Sequence, residues 1–162
     1  IEGTRPILVE VQALTAPTPL AMPRRTAIGL DHNRTSVLVA VLEKKLGLTL
    51  YNQDVFLNVA GGIRLSEPGV DLGIITSIVS SKLEQPVPPR TAVCGEVGLT
   101  GEVRAVSQIG QRIKEAERLG FAQCIIPKNN LKNLPNTTTM KLIGIETINE
   151  AIDNLFKHKA HA

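Results

Sequence analysis

The sequence predicts an α/β domain, of the two-layer α+β kind, on three observations. Strand-like and helix-like segments alternate along the chain, and the connections between them are short. A third segment, Pro68 to Lys82, is rich in Ile, Val and small residues, with no charge between Asp71 and Lys82, and reads as a central buried helix. At 162 residues the chain has the length of one domain and can bury about two-thirds of its unfolded surface.

Arg5 to Leu14 is partly alternating and predicts the first strand, followed by a Pro/Thr-rich loop over Ala16 to Pro23 and a short strand over Arg25 to Leu30. Asp31 and Asn33 are capping residues for a helix over Arg34 to Leu46, with Val37, Val41 and Leu42 on its apolar face and Gly47 just past its end. Asp54 to Ala60 is a strand that Gly61-Gly62 turns. Pro68 is well placed to open the central helix, and Pro86, Pro88 and Pro89 close that unit. Thr91 to Val97 and Val103 to Val106 form a hairpin about Leu99-Thr100-Gly101-Glu102. A helix over Gln108 to Leu119, capped at or near Ser107, turns Ile109, Ile113 and Ala116 inward and ends at Gly120. Strands at Ala122 to Ile126 and Met140 to Ile145 follow, then a helix over Thr147 to Phe156 with Thr147 and Glu150 in capping-box register. One domain over 1–157 with a flexible tail at 158–162 is therefore expected. The chain opens on Ile1 in a strand-like run, so a fragment of a longer protein is expected too.

Hydrophobic residues make up 43% and charged residues 20%, ordinary for a globular domain, and no apolar stretch approaches the ~20 residues of a membrane span. Cys94 and Cys124 sit singly in apolar runs, which points to small buried hydrophobes and not to a metal site. The net charge of +3 permits a nucleic-acid surface without demanding one. With 2% aromatic residues, stacking on exposed bases is disfavoured, so any nucleic-acid contact falls to Arg and Lys on phosphates. Arg24 and Arg25 on one side of the short strand and Arg34 on the other could converge; Lys44, Lys45, Arg64, Arg90 and Arg104 could extend a basic face, or the set could be scattered solubilising charge.

Catalytic signals are weak. P-loop, HExxH, GxSxG and EF-hand patterns are missing. His32 precedes a helix and reads as structural, and His158 and His161 lie in the tail. Ser77, Ser80 and Ser81 sit in the central helix, where hydroxyls bond back to the preceding turn. Ser66 and Ser107 lie in turns, but Lys82 and Lys114, the lysines on the neighbouring helices, look solvated and unsuited to act as a base. Asp71, in a helix first turn, is favoured there by the free N–H groups and dipole without any chemistry, and Glu67 is its nearest carboxylate neighbour.

Several runs, in order and across essentially the whole chain, resemble the RadA (Sms) family of bacterial DNA repair proteins: Glu2-Gly3-Thr4-Arg5-Pro6, Arg24 to Arg34, Asn58-Val59-Ala60-Gly61-Gly62, Glu67-Pro68 with Val70-Asp71-Leu72-Gly73, and Gly95 to Arg104. The segment resembles the family's C-terminal domain, which is similar to the proteolytic domain of Lon, and the resemblance implies the fold of the second domain of ribosomal protein S5. Matched to Lon's Gly-Pro-Ser-Ala-Gly turn, Asp71 stands at the nucleophilic serine; matched to its Gly-Gly-Leu-Lys stretch, Gly110 stands at the general-base lysine. The resemblance thus implies a domain without peptidase activity, a pseudo-protease scaffold. It further implies a cytoplasmic, hexameric, ATP-driven branch-migration motor of homologous recombination, working on DNA and with a RecA-type recombinase. Zn, ATP and Mg would belong to a four-cysteine motif and a RecA-like ATPase outside this chain, with no cofactor in this domain. DNA contact is implied for Arg24, Arg25 and Arg34, with Arg64 and Arg104 as further candidates. A peptidase with a displaced serine, Ser66 or Ser107, and a purely oligomerising module are the competing readings.

Overall fold

The computed structural model describes residues 5–134 and 138–157. The tail at 158–162, with His158 and His161, and the Glu2-Gly3-Thr4 part of the first motif lie outside them. The chain folds as β1 (Val11–Pro17), β2 (Arg25–Ile28), α1 (His32–Leu46), β3 (Gln53–Val59), α2 (Asp71–Leu83), β4 (Thr91–Val93), β5 (Glu96–Val97), β6 (Val103–Arg104), α3 (Ile109–Arg118), β7 (Gln123–Pro127), α4 (Lys128–Leu131), β8 (Lys141–Ile145) and α5 (Ile148–Leu155), with 3₁₀ turns at Ala60–Gly62 and Pro68–Val70. This is the mixed α/β fold that the sequence predicts.

Two three-stranded sheets carry it. In the first, β3 lies between antiparallel β1 and parallel β2; in the second, β7 lies between parallel β4 and β8. The first sheet covers one face only. Ala13, Ala27, Val55 and Leu57 face the core, while Leu14 and Ile28 stand exposed on the other side. The α2 helix is the hub, as its lack of charge implies: Leu72, Ile74, Ile75, Ile78 and Val79 are buried against α1, the first sheet and α5. A second cluster joins Ile109, Ile113 and Ala116 of α3 to Cys124 and Ile126 of β7, so the second sheet is packed on both faces.

Capping follows local chemistry. The Asp31 carboxylate accepts from the Arg34 N–H at 2.7 Å and Gly47 closes α1 in the left-handed region, while Thr147 accepts from the Glu150 N–H at 3.2 Å. Asn33 lies inside the first turn and caps nothing.

Tertiary pairing overrides the local pattern in several places. The first strand is Val11–Pro17 and not Arg5 to Leu14, because β3 ends at Val59, opposite Val11, and turns away, so the ladder stops there. The expected single strand over Thr91 to Val97 is two: at Cys94-Gly95 the chain leaves β7, Gly95 bonds the turn before α2, and Glu96–Val97 pairs with β6. Val37 is exposed, its place on the inner face of α1 taken by Leu38 beside Val41 and Leu42, because the rows that meet α2 and α5 run through Thr35, Leu38 and Leu42. Ser107 does not cap α3; Gln108 holds that position at φ 55° with no side-chain cap, and the Ser107 carbonyl accepts from Arg112 instead. The single turn of α4 has too few residues to show a period.

Gly29 locks the basic segment to the turn before α2. Its φ is +83°, its carbonyl accepts from the Leu65 N–H at 2.8 Å, and a Cβ there would lie 2.5 Å from the Ile63 carbonyl oxygen. Gly29→Ala should therefore destabilise the fold by more than ~1 kcal/mol, read as a lower urea midpoint with an unchanged slope.

Candidate functional site

The turn that opens α2 is built by a 3₁₀ turn and two backbone bonds to Gly95. Pro68 starts a 3₁₀ turn, the Gly95 N–H donates to the Gly69 carbonyl at 3.0 Å, and the Leu72 N–H donates to the Gly95 carbonyl at 3.1 Å. Asp71 is thereby placed at the first residue of α2, only 1% exposed. Its two carboxylate oxygens take a fork from Arg34: Nε donates to Oδ1 at 3.0 Å and Nη2 to Oδ2. The Val97 N–H adds a third bond, to Oδ2 at 3.0 Å, and Arg34 Nη2 also donates to the Val97 carbonyl at 3.1 Å. The pair thus ties together α1, α2 and β5. The hydrogen bond to Asp71 raises the Arg34 pKa further above its ordinary value. Three of the roughly four acceptor positions of the Asp71 carboxylate are thus taken by protein donors.

Gly110 is not brought to this carboxylate. It lies exposed in the first turn of α3, and a Cβ built on it meets nothing within 4 Å. The α3 residue that reaches the turn is Arg112, which donates to Glu67 and, through Nε, to the Ser107 carbonyl at 2.8 Å; burial pulls its pKa down. Sequence reasoning missed Arg112. Its position one residue before the buried Ile113 was the available signal that its side chain could turn along the domain.

The expected guanidinium cluster divides. Arg24 donates to Asp54 from its backbone N–H at 2.6 Å and its Nη2 at 2.8 Å, and it lies over the Phe56 ring at 5.6 Å. Arg25 donates to the Gln53 carbonyl and, at 2.9 Å, to the Leu50 carbonyl. These two meet at the start of β3, whereas Arg34 is drawn inward to Asp71. Arg24 remains 56% exposed at its side chain. Arg104 is exposed and pairs with Glu102 at 3.3 Å, and Arg64 is exposed with no partner among the described residues.

The serines are accounted for or isolated. Ser77 donates to the Gly73 carbonyl at 2.7 Å, Ser80 to the Gln85 carbonyl, and Ser81 accepts from the Thr15 N–H. Ser66 and Ser107 are exposed and no lysine bonds them. His32 is exposed at the start of α1. Cys94 and Cys124 are buried free thiols; the Cys124 thiol and burial push the Cys94 pKa up, so Cys94 is not primed as a nucleophile. Among the described residues no three His, Cys, Asp or Glu side chains could share a metal ion, and no helix is long and apolar enough to cross a membrane.

The mixed α/β fold around this turn is that of a Lon-type proteolytic domain. The family model for the Lon protease (S16) C-terminal proteolytic domain matches residues 35–158, and the chain belongs to that family. It is 54% identical over 153 residues to the DNA repair protein RadA of Halalkalibacterium halodurans, 55% over 152 residues to that of Bacillus subtilis and 48% over 156 residues to that of Streptococcus pneumoniae. These matches cover 94%, 94% and 96% of this chain but 34%, 33% and 37% of the relatives, so the chain spans about a third of their length.

Two consequences are measurable. Asp71→Asn keeps the shape but takes the charge from the Arg34 fork. It should cost about 2–3 kcal/mol in urea unfolding, below the ~3–5 of a fully buried pair because Arg34 is 38% exposed at its side chain. Asp54 gives a pH signature. The Arg24 side chain and then its backbone N–H lower the Asp54 pKa from 3.8 to about 2. A depressed folded-state pKa contributes stability that is complete above the unfolded value of 3.8 and is lost as pH falls toward 2. Urea midpoints should fall between about pH 4 and pH 2, and Asp54→Asn should flatten that part of the profile.

Proposed function

We propose that this domain is a non-catalytic Lon-type scaffold within a DNA repair protein, helping to assemble a ring and to hold DNA by its phosphates. The observation that carries the reading is the Asp71–Arg34 fork in the position of the nucleophile. A serine hydroxyl and a lysine base need an open pair at that turn, and here an ion pair and the Val97 N–H fill it. The names of the relatives support a place in DNA repair. By the resemblance to that family, the whole protein would be a cytoplasmic hexamer driving branch migration with a RecA-type recombinase. ATP, Mg and Zn would be held outside this domain.

For DNA contact, Arg24 and Arg104 are the best supported of the candidates because their guanidinium groups reach solvent; Arg25 lies behind Arg24, and Arg64 adds an exposed cation. Arg34 serves the scaffold first. Binding of this kind is to phosphates and should be indifferent to sequence.

Duplex binding by the chain, measured by fluorescence anisotropy across a salt series, should weaken as salt rises. The double variant Arg24→Ala/Arg104→Ala should lower affinity for all sequences alike and reduce the log–log salt slope by about 0.9 for each phosphate no longer neutralised. Unchanged binding by a folded double variant would remove these residues from the interface, and no DNA binding at all, with assembly intact by light scattering, would favour the oligomerising module. Incubation with an unfolded protein substrate should yield no cleavage, either by the natural chain or by Asp71→Ser/Gly110→Lys, because Gly110 does not adjoin the turn. Cleavage by the natural chain that Ser66→Ala or Ser107→Ala abolishes would establish the displaced-nucleophile peptidase.

A further inference from the structure

A cavity of about 620 Å³ lies along α2 and takes in Ser66, Glu67, Gly69 and Val70 of the turn before it. Gly73, Thr76 and Ser77, which share one helical face by their i, i+3, i+4 spacing, form part of its wall, and Asp71 lies about 200° around the helix from Gly73 and does not line it. The cavity therefore adjoins the turn but does not include the Asp71 carboxylate. Its volume falls within the ~300–1,000 Å³ typical of small-molecule pockets.

The lining has a definite chemistry. An apolar body is supplied by the segment before β1, including Ile7 and Leu8, together with Val87, Val93 and Phe121. Thr76 is 3% exposed, and its Oγ1 has no hydrogen-bond partner among the described residues. A buried hydroxyl left unsatisfied costs about 1–3 kcal/mol, so a group that bonds it is favoured. The charges are uneven. Glu67 is held by Arg112, Glu115 by Arg118 at 2.6 and 3.0 Å, and Glu10 accepts from Gln12 on the exposed side of the first sheet. Arg64 is then the lining cation without a partner among the described residues.

We propose that this cavity binds a small amphipathic carboxylate, with its anionic head at Arg64, its apolar body along Leu8, Val93 and Phe121, and a second hydrogen-bonding group at Thr76. Arg64 alone could equally meet a DNA phosphate. Thr76 and Gly73 belong to the cavity only, so variants there distinguish the two roles.

The test is a titration of the ¹⁵N-labelled chain by NMR with 10-hydroxydecanoate, decanoate and 1-decanol. Saturable shifts confined to residues lining the cavity, Leu8, Arg64, Thr76, Val93 and Phe121 among them, are expected, with 10-hydroxydecanoate binding tightest. Thr76→Val should erase its advantage over decanoate, about tenfold for one hydrogen bond. Arg64→Gln should erase the advantage of decanoate over 1-decanol. Gly73→Met, which extends a side chain into the space where the nearest atom to a Cβ is Val93 Cγ2 at 3.9 Å, should abolish binding of all three while the fold persists. Absence of saturable binding, binding unaffected by Gly73→Met, or equal affinity for the three probes would each overturn the assignment. Duplex affinity should be unchanged in Thr76→Val, and its loss there would also count against a separate site.

Discussion

The buried ion pair between Asp71 and Arg34 is the constraint on which the rest of the site depends. A carboxylate this deep in the fold is tolerated only with its oxygens filled, and the fork from Arg34 with the Val97 N–H fills them. Because the three donors come from α1 and β5, satisfying one side chain also sets how α1, α2 and the β5–β6 hairpin meet. At this turn the Asp71 side chain serves packing.

The neighbouring interactions take the same form. Arg112 holds Glu67 across the turn, Arg24 holds Asp54 at the start of β3, and Arg25 binds the Leu50 and Gln53 carbonyls at the same place. Arginine suits these positions because its planar fork bonds two acceptors at once. The consequence for function is a division of labour among the cations. Those that reach furthest into the fold are spent on it, and those still reaching solvent, Arg24, Arg64 and Arg104 among them, remain available for an anion.

Much of this was legible in the chain. The uncharged run from Leu72 to Ser81 marked the hub helix, and Asp31 and Thr147 marked two helix starts. The errors were at places where a distant partner decides. Arg5 to Val9 has strand character but lies beyond the end of the β1–β3 ladder, Thr91 to Val97 breaks because Gly95 is drawn to the turn before α2, and Val37 yields its place to Leu38 because the packing partners fix the rotation of α1.

The sequence by itself determined the alternation of elements and the caps of α1 and α5, because each depends on neighbours within about one helical turn. Only the tertiary structure decided what Asp71 does. Its partner lies 37 residues away in sequence and its third donor 26 away, and nothing in the local pattern of Arg34 distinguishes a guanidinium aimed at a buried carboxylate from one aimed at solvent. The lone aspartate that a local reading assigns to the helix dipole is, in the fold, one half of the ion pair that closes the site.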